Sequence, residues 1–124
     1  MFELTVKTHF AAAHQLKMVS KKCENLHGHN WGIEVCLGGE SLNNAGVLMD
    51  FGEIKSLVSE IMEELDHKFL NELDYFPDKN PSSENISVHI ANQMTQRLNT
   101  PGVTVKRVTA WESPNAGATY IPSA

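Results

Sequence analysis

His27-Gly28-His29-Asn30-Trp31-Gly32-Ile33-Glu34-Val35-Cys36-Leu37 is the stretch that decides the fold. Its large apolar side chains fall on every second residue, so it reads as a strand with one buried face. His27 and His29 share that parity, which points both imidazoles to the same side. Gly38-Gly39 and Asn43-Asn44 mark the loop that ends the strand.

Working back toward the amino terminus, Phe2, Leu4, Val6 and Phe10 alternate with Glu3, Thr5, Lys7 and His9. This predicts a first strand from Phe2 to His14. His14 lies on the apolar parity unless Ala11-Ala12-Ala13 holds a bulge. A polar loop, Lys17 to Leu26, joins the two strands. Working forward, Asp50 opens a helix with Glu53 three residues on, in the manner of a capping box. Phe51, Ile54, Leu57, Val58, Ile61, Met62 and Leu65 form its stripe. Tyr75 to Pro81 reads as a loop. Ser82 or Ser83 caps a second helix carrying Ile86, Ile90, Met94 and Leu98, and Pro101-Gly102 stops it. Val103 to Glu112 is expected to be a third strand and Ala118 to Ile121 a fourth, joined by turn residues. The predicted order is ββααββ: an α+β fold, with an antiparallel sheet and two helices on one face. The uncovered sheet face and open edges favour oligomer formation.

A chain of 124 residues is expected to form one domain, residues 1–124, and can bury about two thirds of its unfolded surface. Hydrophobic residues at 41% and charged residues at 20% suit a globular core rather than disorder. No apolar run reaches the roughly 20 residues of a membrane span, and Met1-Phe2-Glu3-Leu4 does not read as a secretory signal. With two cysteines, Cys23 and Cys36, the expectation is a cytoplasmic protein with reduced thiols. A net charge of −5 argues against a nucleic-acid partner. Lys17, Lys21 and Lys22 form a local basic cluster, read as a solubility feature or as a site for a small anion.

The chemistry concentrates in the histidines, of which there are six. His14 ends one strand beside the pair His27 and His29, and Gly28 between them is expected to allow close backbone approach. Three imidazoles with an open fourth position is the arrangement of a catalytic zinc, Zn2+. Cys23, four residues before His27, is open to three roles: fourth metal ligand, catalytic thiol or loop cysteine. His67 follows Asp66 at a helix carboxyl end, where an imidazolium is favoured. Glu112 ends the third strand beside a turn.

Phe10-Ala11-Ala12-Ala13-His14, Cys23-Glu24-Asn25-Leu26-His27-Gly28-His29-Asn30-Trp31, Met49-Asp50-Phe51, Leu65-Asp66-His67-Lys68, Pro81-Ser82-Ser83-Glu84-Asn85 and Glu112 together resemble the 6-pyruvoyltetrahydropterin synthase / 6-carboxytetrahydropterin synthase family. The resemblance spans almost the whole chain in order. It implies the tunnelling fold, in which trimers close a barrel and two trimers stack into a homohexamer. It implies zinc on His14, His27 and His29, Cys23 as proton-abstracting base, and Asp66 with His67 as a second proton-handling pair from a neighbouring subunit. Glu112 would anchor the guanidine-like edge of a reduced pterin triphosphate, because a carboxylate accepts two parallel hydrogen bonds from such an edge.

The interval Cys23-x-x-x-His27 resembles the 6-carboxy-5,6,7,8-tetrahydropterin synthases of queuosine biosynthesis, which convert 7,8-dihydroneopterin triphosphate with release of acetaldehyde and triphosphate. The 6-pyruvoyl enzymes space these residues more widely. Glu24 resembles the glutamate of a third branch, which releases 6-hydroxymethyl-dihydropterin for folate synthesis. Its plainer reading is a solvated loop residue. A non-enzyme alternative is a zinc-stabilised pterin-binding module closed by Cys23.

Overall fold

The computed structural model of the chain describes residues 1–16, 26–76, 78 and 80–123. Strand β1 (Phe2–His14) and strand β2 (His27–Gly39) pair antiparallel over their whole length, from Phe2 opposite Gly39 to His14 opposite His27. The register runs unbroken through Ala11, Ala12 and Ala13, so no bulge displaces His14 from the apolar parity. Val6, Phe10, Ala12 and His14 are buried along β1; Trp31, Ile33, Val35 and Leu37 are buried along β2. The period-two pattern thus became one continuous core face.

Helix α1 (Phe51–Leu65) starts where expected: the Asp50 side chain accepts the Gly52 N–H at 3.2 Å. It buries Ile54, Val58, Ile61, Met62 and Leu65, while Phe51 remains exposed. Helix α2 (Ser83–Arg97) is capped by Ser82, whose hydroxyl accepts the Asn85 N–H at 3.1 Å. Ile86, Ile90 and Met94 enter the same core. Arg97 of α2 ion-pairs with Glu64 and Glu60 of α1, tying the two helices at their outer edge.

Between the helices the chain departs from the sequence expectation. A two-residue strand, β3 (Lys68–Phe69), and a 3-10 turn (Leu70–Glu72) follow α1 directly. β3 pairs parallel with Ala12 and Ala13, so the sheet is mixed rather than wholly antiparallel. Two residues are too few to show a hydrophobic period. What places them is a sharp reversal: His67 takes the left-handed conformation, φ 58°, and its N–H donates to the Ala11 carbonyl at 2.6 Å.

Strand β4 (Thr104–Ser113) pairs with β2, and β5 (Ala116–Tyr120) with β4, giving the order β3-β1-β2-β4-β5. β5 begins two residues earlier than the apolar pattern suggested, because Ser113 already pairs with Ala116. The sheet face away from the core carries polar pairs, Glu3 with Arg107 at 3.0 Å and Lys7 with Glu34 at 3.7 Å. No helix among the described residues is long and apolar enough to cross a membrane.

Candidate functional site

The histidine end of the sheet follows from the β1–β2 register. His14 lies opposite His27, and Ala12 opposite His29, so His14 and His29 are diagonal neighbours on one face. Their rings meet edge to face with centroids 5.0 Å apart. Trp31, two residues further along the same face, supports both: its centroid lies 5.0 Å from His14 and 5.3 Å from His29. Phe10 stacks behind Trp31 at 6.2 Å and links the group to the core.

β4 contributes the third member. Trp111 sits opposite Gly32 on the far face, which puts the next residue, Glu112, on the histidine face. The β4–β5 register also slips here: Trp111 and Ser113 face Gly117 and Ala116, leaving Glu112 as the extra residue of a bulge. Bulges of this kind re-aim a side chain at the end of a ladder. Glu112 Oε1 lies 3.1 Å from His29 Nε2. One donor atom each from His14, His29 and Glu112 falls within 4.8 Å of the others.

His14 is fully buried, and its Nδ1 is 2.9 Å from the Pro81 carbonyl oxygen. A carbonyl can only accept, so this contact calls for hydrogen on Nδ1 and leaves Nε2 as the ligating nitrogen. Metal-binding histidines are commonly held in this way, by a carbonyl on the other ring nitrogen. The following residue is pinned as well: Gln15 N–H donates to Asn71 Oδ1 at 2.8 Å, and Asn71 Nδ2 donates to the Gln15 carbonyl at 2.6 Å. Imidazole nitrogens with a carboxylate oxygen nearby match the donor chemistry of zinc, so the residues fit such an ion.

Asp66 and His67 form a separate pair. His67 Nδ1 is 2.9 Å from Asp66 Oδ2, and the other Asp66 oxygen accepts the Ala11 N–H at 2.9 Å. That backbone N–H, with His67 beside it, holds the Asp66 carboxyl below its ordinary range. The His67 side chain is 81% exposed, and the pair is not part of the His14–His29–Glu112 donor group. It stands on the opposite edge of β1 from β2 and is presented outward.

Among the described residues, a Cβ at Gly28 would meet only the Ala12 carbonyl, at 3.9 Å, an ordinary contact. Gly117, opposite Trp111 on the far face, is a tighter position: a Cβ there would meet two Trp111 ring carbons at 2.7 Å. Cys36 is a buried free thiol whose pKa burial pushes up, the opposite of an activated nucleophile. Cys23, Glu24, Lys17, Lys21 and Lys22 lie outside the described residues, as does the side chain of His27.

Sequence reasoning missed Pro81, Asn71 and Trp31 as site residues. Trp31 was legible as core from its parity, but its contact with both histidines depends on the diagonal geometry. Pro81 and Asn71 act through contacts 67 and 56 residues apart in the chain, which no local pattern signals. A shallow concavity of about 280 Å³, lined by Ala11, Ala12, Gly28, His29 and Asn30, opens beside the donor group. A larger one of about 620 Å³ lies between α2 and the β4–β5 end; among the described residues Lys106 is its one ionisable lining residue.

Residues 3–123 match the family model for 6-pyruvoyl tetrahydropterin synthase. The chain is 38% identical over 109 residues to a Pyrococcus furiosus protein named dihydroneopterin monophosphate aldolase, covering 87% of each. It is 29% identical over 115 residues to the 6-carboxy-5,6,7,8-tetrahydropterin synthase of Rickettsia conorii, covering 79% of this chain and 83% of that one. Its fold is similar to that of Caenorhabditis elegans 6-pyruvoyl tetrahydropterin synthase, with a TM-score of 0.85 at 24% identity over 98% of this chain and 96% of the other.

Proposed function

The chain belongs to the 6-pyruvoyl tetrahydropterin synthase family, and from that premise we propose that it is a zinc-dependent 6-carboxy-5,6,7,8-tetrahydropterin synthase acting on 7,8-dihydroneopterin triphosphate. The observation that carries the reading is the convergence of His14, His29 and Glu112 at the ends of three adjacent strands, within a family match spanning residues 3–123. His14, His27 and His29 would hold the zinc ion. When bound, zinc supplies Lewis-acid polarisation of a substrate side-chain oxygen.

The chain's own residues would do the rest. Glu112, re-aimed by its bulge, accepts hydrogen bonds from the amino-pyrimidine edge of the pterin and sets the ring's distance from the histidines. Cys23 removes a proton from the side chain. Asp66 keeps its charge, because the Ala11 N–H favours the carboxylate. It orients His67 through Nδ1, so that the outward ring nitrogen moves a proton. The exposure of His67 supports its serving the site of a neighbouring subunit. The exposed edge strands β3 and β5 support the closed trimeric barrel and homohexamer of the tunnelling fold, in the cytoplasm.

A second reading has its own support. The relative at 38% identity is named an aldolase, and Glu24 beside Cys23 offers a second base that could start cleavage to 6-hydroxymethyl-dihydropterin. Incubation of the zinc-loaded protein with 7,8-dihydroneopterin triphosphate, and separately with the monophosphate, tests both by mass spectrometry of the products. Carboxytetrahydropterin from the triphosphate is expected from wild type and lost, by on the order of 10²–10⁴ in turnover, in Cys23→Ala. Hydroxymethylpterin as the sole wild-type product, abolished by Glu24→Ala and not by Cys23→Ala, would overturn the first reading in favour of the second.

A further inference from the structure

We propose that Asn85 is a positioning residue for the metal ligand His14, acting through the Pro81 carbonyl; the inference rests on the zinc reading above. The link runs through the turn that enters α2. Ser82 N–H donates to the Asn80 carbonyl at 2.9 Å, which closes a three-residue turn around Pro81. The proline ring presets φ for this inverse γ-turn. The Ser82 N–H and the Pro81 carbonyl belong to one planar peptide unit and point in opposite directions. Holding the N–H on Asn80 therefore aims the carbonyl the other way, at His14 Nδ1.

Asn85 clamps this arrangement twice. Its side-chain Nδ2 donates to the same Asn80 carbonyl at 2.8 Å, and its backbone N–H donates to the Ser82 hydroxyl at 3.1 Å. One residue of the first turn of α2 thus holds the residues on both sides of Pro81, Asn80 through its carbonyl and Ser82 through its hydroxyl. Since the Pro81 carbonyl demands hydrogen on Nδ1 of a fully buried ring, the clamp selects the tautomer that presents the Nε2 lone pair to the donor group. Without the Nδ2 bond the turn can rotate, the carbonyl loses its aim, and the Nδ1–H tautomer loses its advantage.

The test uses the full-length protein in metal-free and zinc-loaded forms, with Asn85→Ala and Asn85→Asp. The aspartate variant keeps the shape and the backbone bond to Ser82 but lacks the amide donor. Zinc affinity, measured by competition with a chromophoric chelator, is expected to fall by about tenfold or more in both variants, the usual effect of losing a ligand's supporting partner. In the metal-free proteins, imidazole 15N shifts assigned with a His14→Gln variant should show the Nδ1–H tautomer in wild type and a mixture in the Asn85 variants. A purely structural role would lower the thermal midpoint and leave tautomer and zinc affinity unchanged, and that result would overturn the proposal. Nε2–H on His14 in wild type would do so even if both variants failed to fold. If wild type itself takes no zinc, the zinc reading fails first and this inference with it; if wild type binds zinc and the variants bind it equally well, only this inference fails.

Discussion

Trp31 stands between the core and the histidines, and the two jobs can be separated by substitution. It is fully buried, stacks on Phe10 and supports the rings of His14 and His29. Among the described residues its Nε1–H finds no acceptor. Replacing it by alanine removes the whole ring, at a cost of about 4 kcal/mol for a large aromatic in a packed core. Against a total stability of roughly 6–19 kcal/mol for a chain of this length, that is a severe loss. Phenylalanine keeps one six-membered ring in place, so the packing loss is smaller, about 1–2 kcal/mol. It also deletes a buried donor whose desolvation costs about 1–3 kcal/mol when unmade. The two terms oppose, and Trp31→Phe should stay within about 1 kcal/mol of wild type. Urea unfolding in the presence of chelator, at one fixed protein concentration, compares both variants with wild type free of metal and at the same protomer concentration. If Trp31→Phe loses 3 kcal/mol or more, approaching the alanine variant, then the indole N–H is engaged in the native protein and the reasoning is wrong.

Asp66→Asn should flatten the acid limb of the stability curve. The folded Asp66 pKa is depressed, so its contribution is complete above the unfolded value of about 3.9 and is lost as pH falls from there through the lower folded value. The gap in thermal midpoint between wild type and Asp66→Asn should therefore be constant above pH 5 and shrink below pH 4 (roughly the unfolded carboxyl range); a gap independent of pH would remove the carboxylate from the account. Glu112 and His29 are neighbours at 3.1 Å, yet their assigned roles differ. His29→Ala should lose zinc by elemental analysis, whereas Glu112→Ala should keep it and lose at least about tenfold in pterin affinity by calorimetry, the order expected for a charge-assisted bidentate contact. Zinc loss in Glu112→Ala with unchanged pterin binding would make Glu112 a metal ligand instead.

Much of this arrangement was written locally. Alternation along Phe2–His14 and His27–Leu37 was enough to place both strands and to set His14, His27 and His29 on the apolar parity, because a strand's side chains alternate whatever surrounds it. The caps Asp50 and Ser82 were legible for a similar reason: a helix start needs a side-chain acceptor within three residues. The separated motifs, from Phe10 to Glu112, were enough to suggest the family. Three things needed the tertiary structure. The parallel strand at Lys68 and Phe69 exists because the reversal at His67 lays it against Ala12 and Ala13, and two residues carry no period of their own. The aim of Glu112 comes from a register slip between β4 and β5, which is a property of a strand pair and not of either strand. The hold on His14 comes from Pro81 and, at Gln15, from Asn71, each more than fifty residues away in the chain. Local patterns report what a residue does to its own backbone; which carbonyl meets which imidazole is decided only when distant segments are packed together.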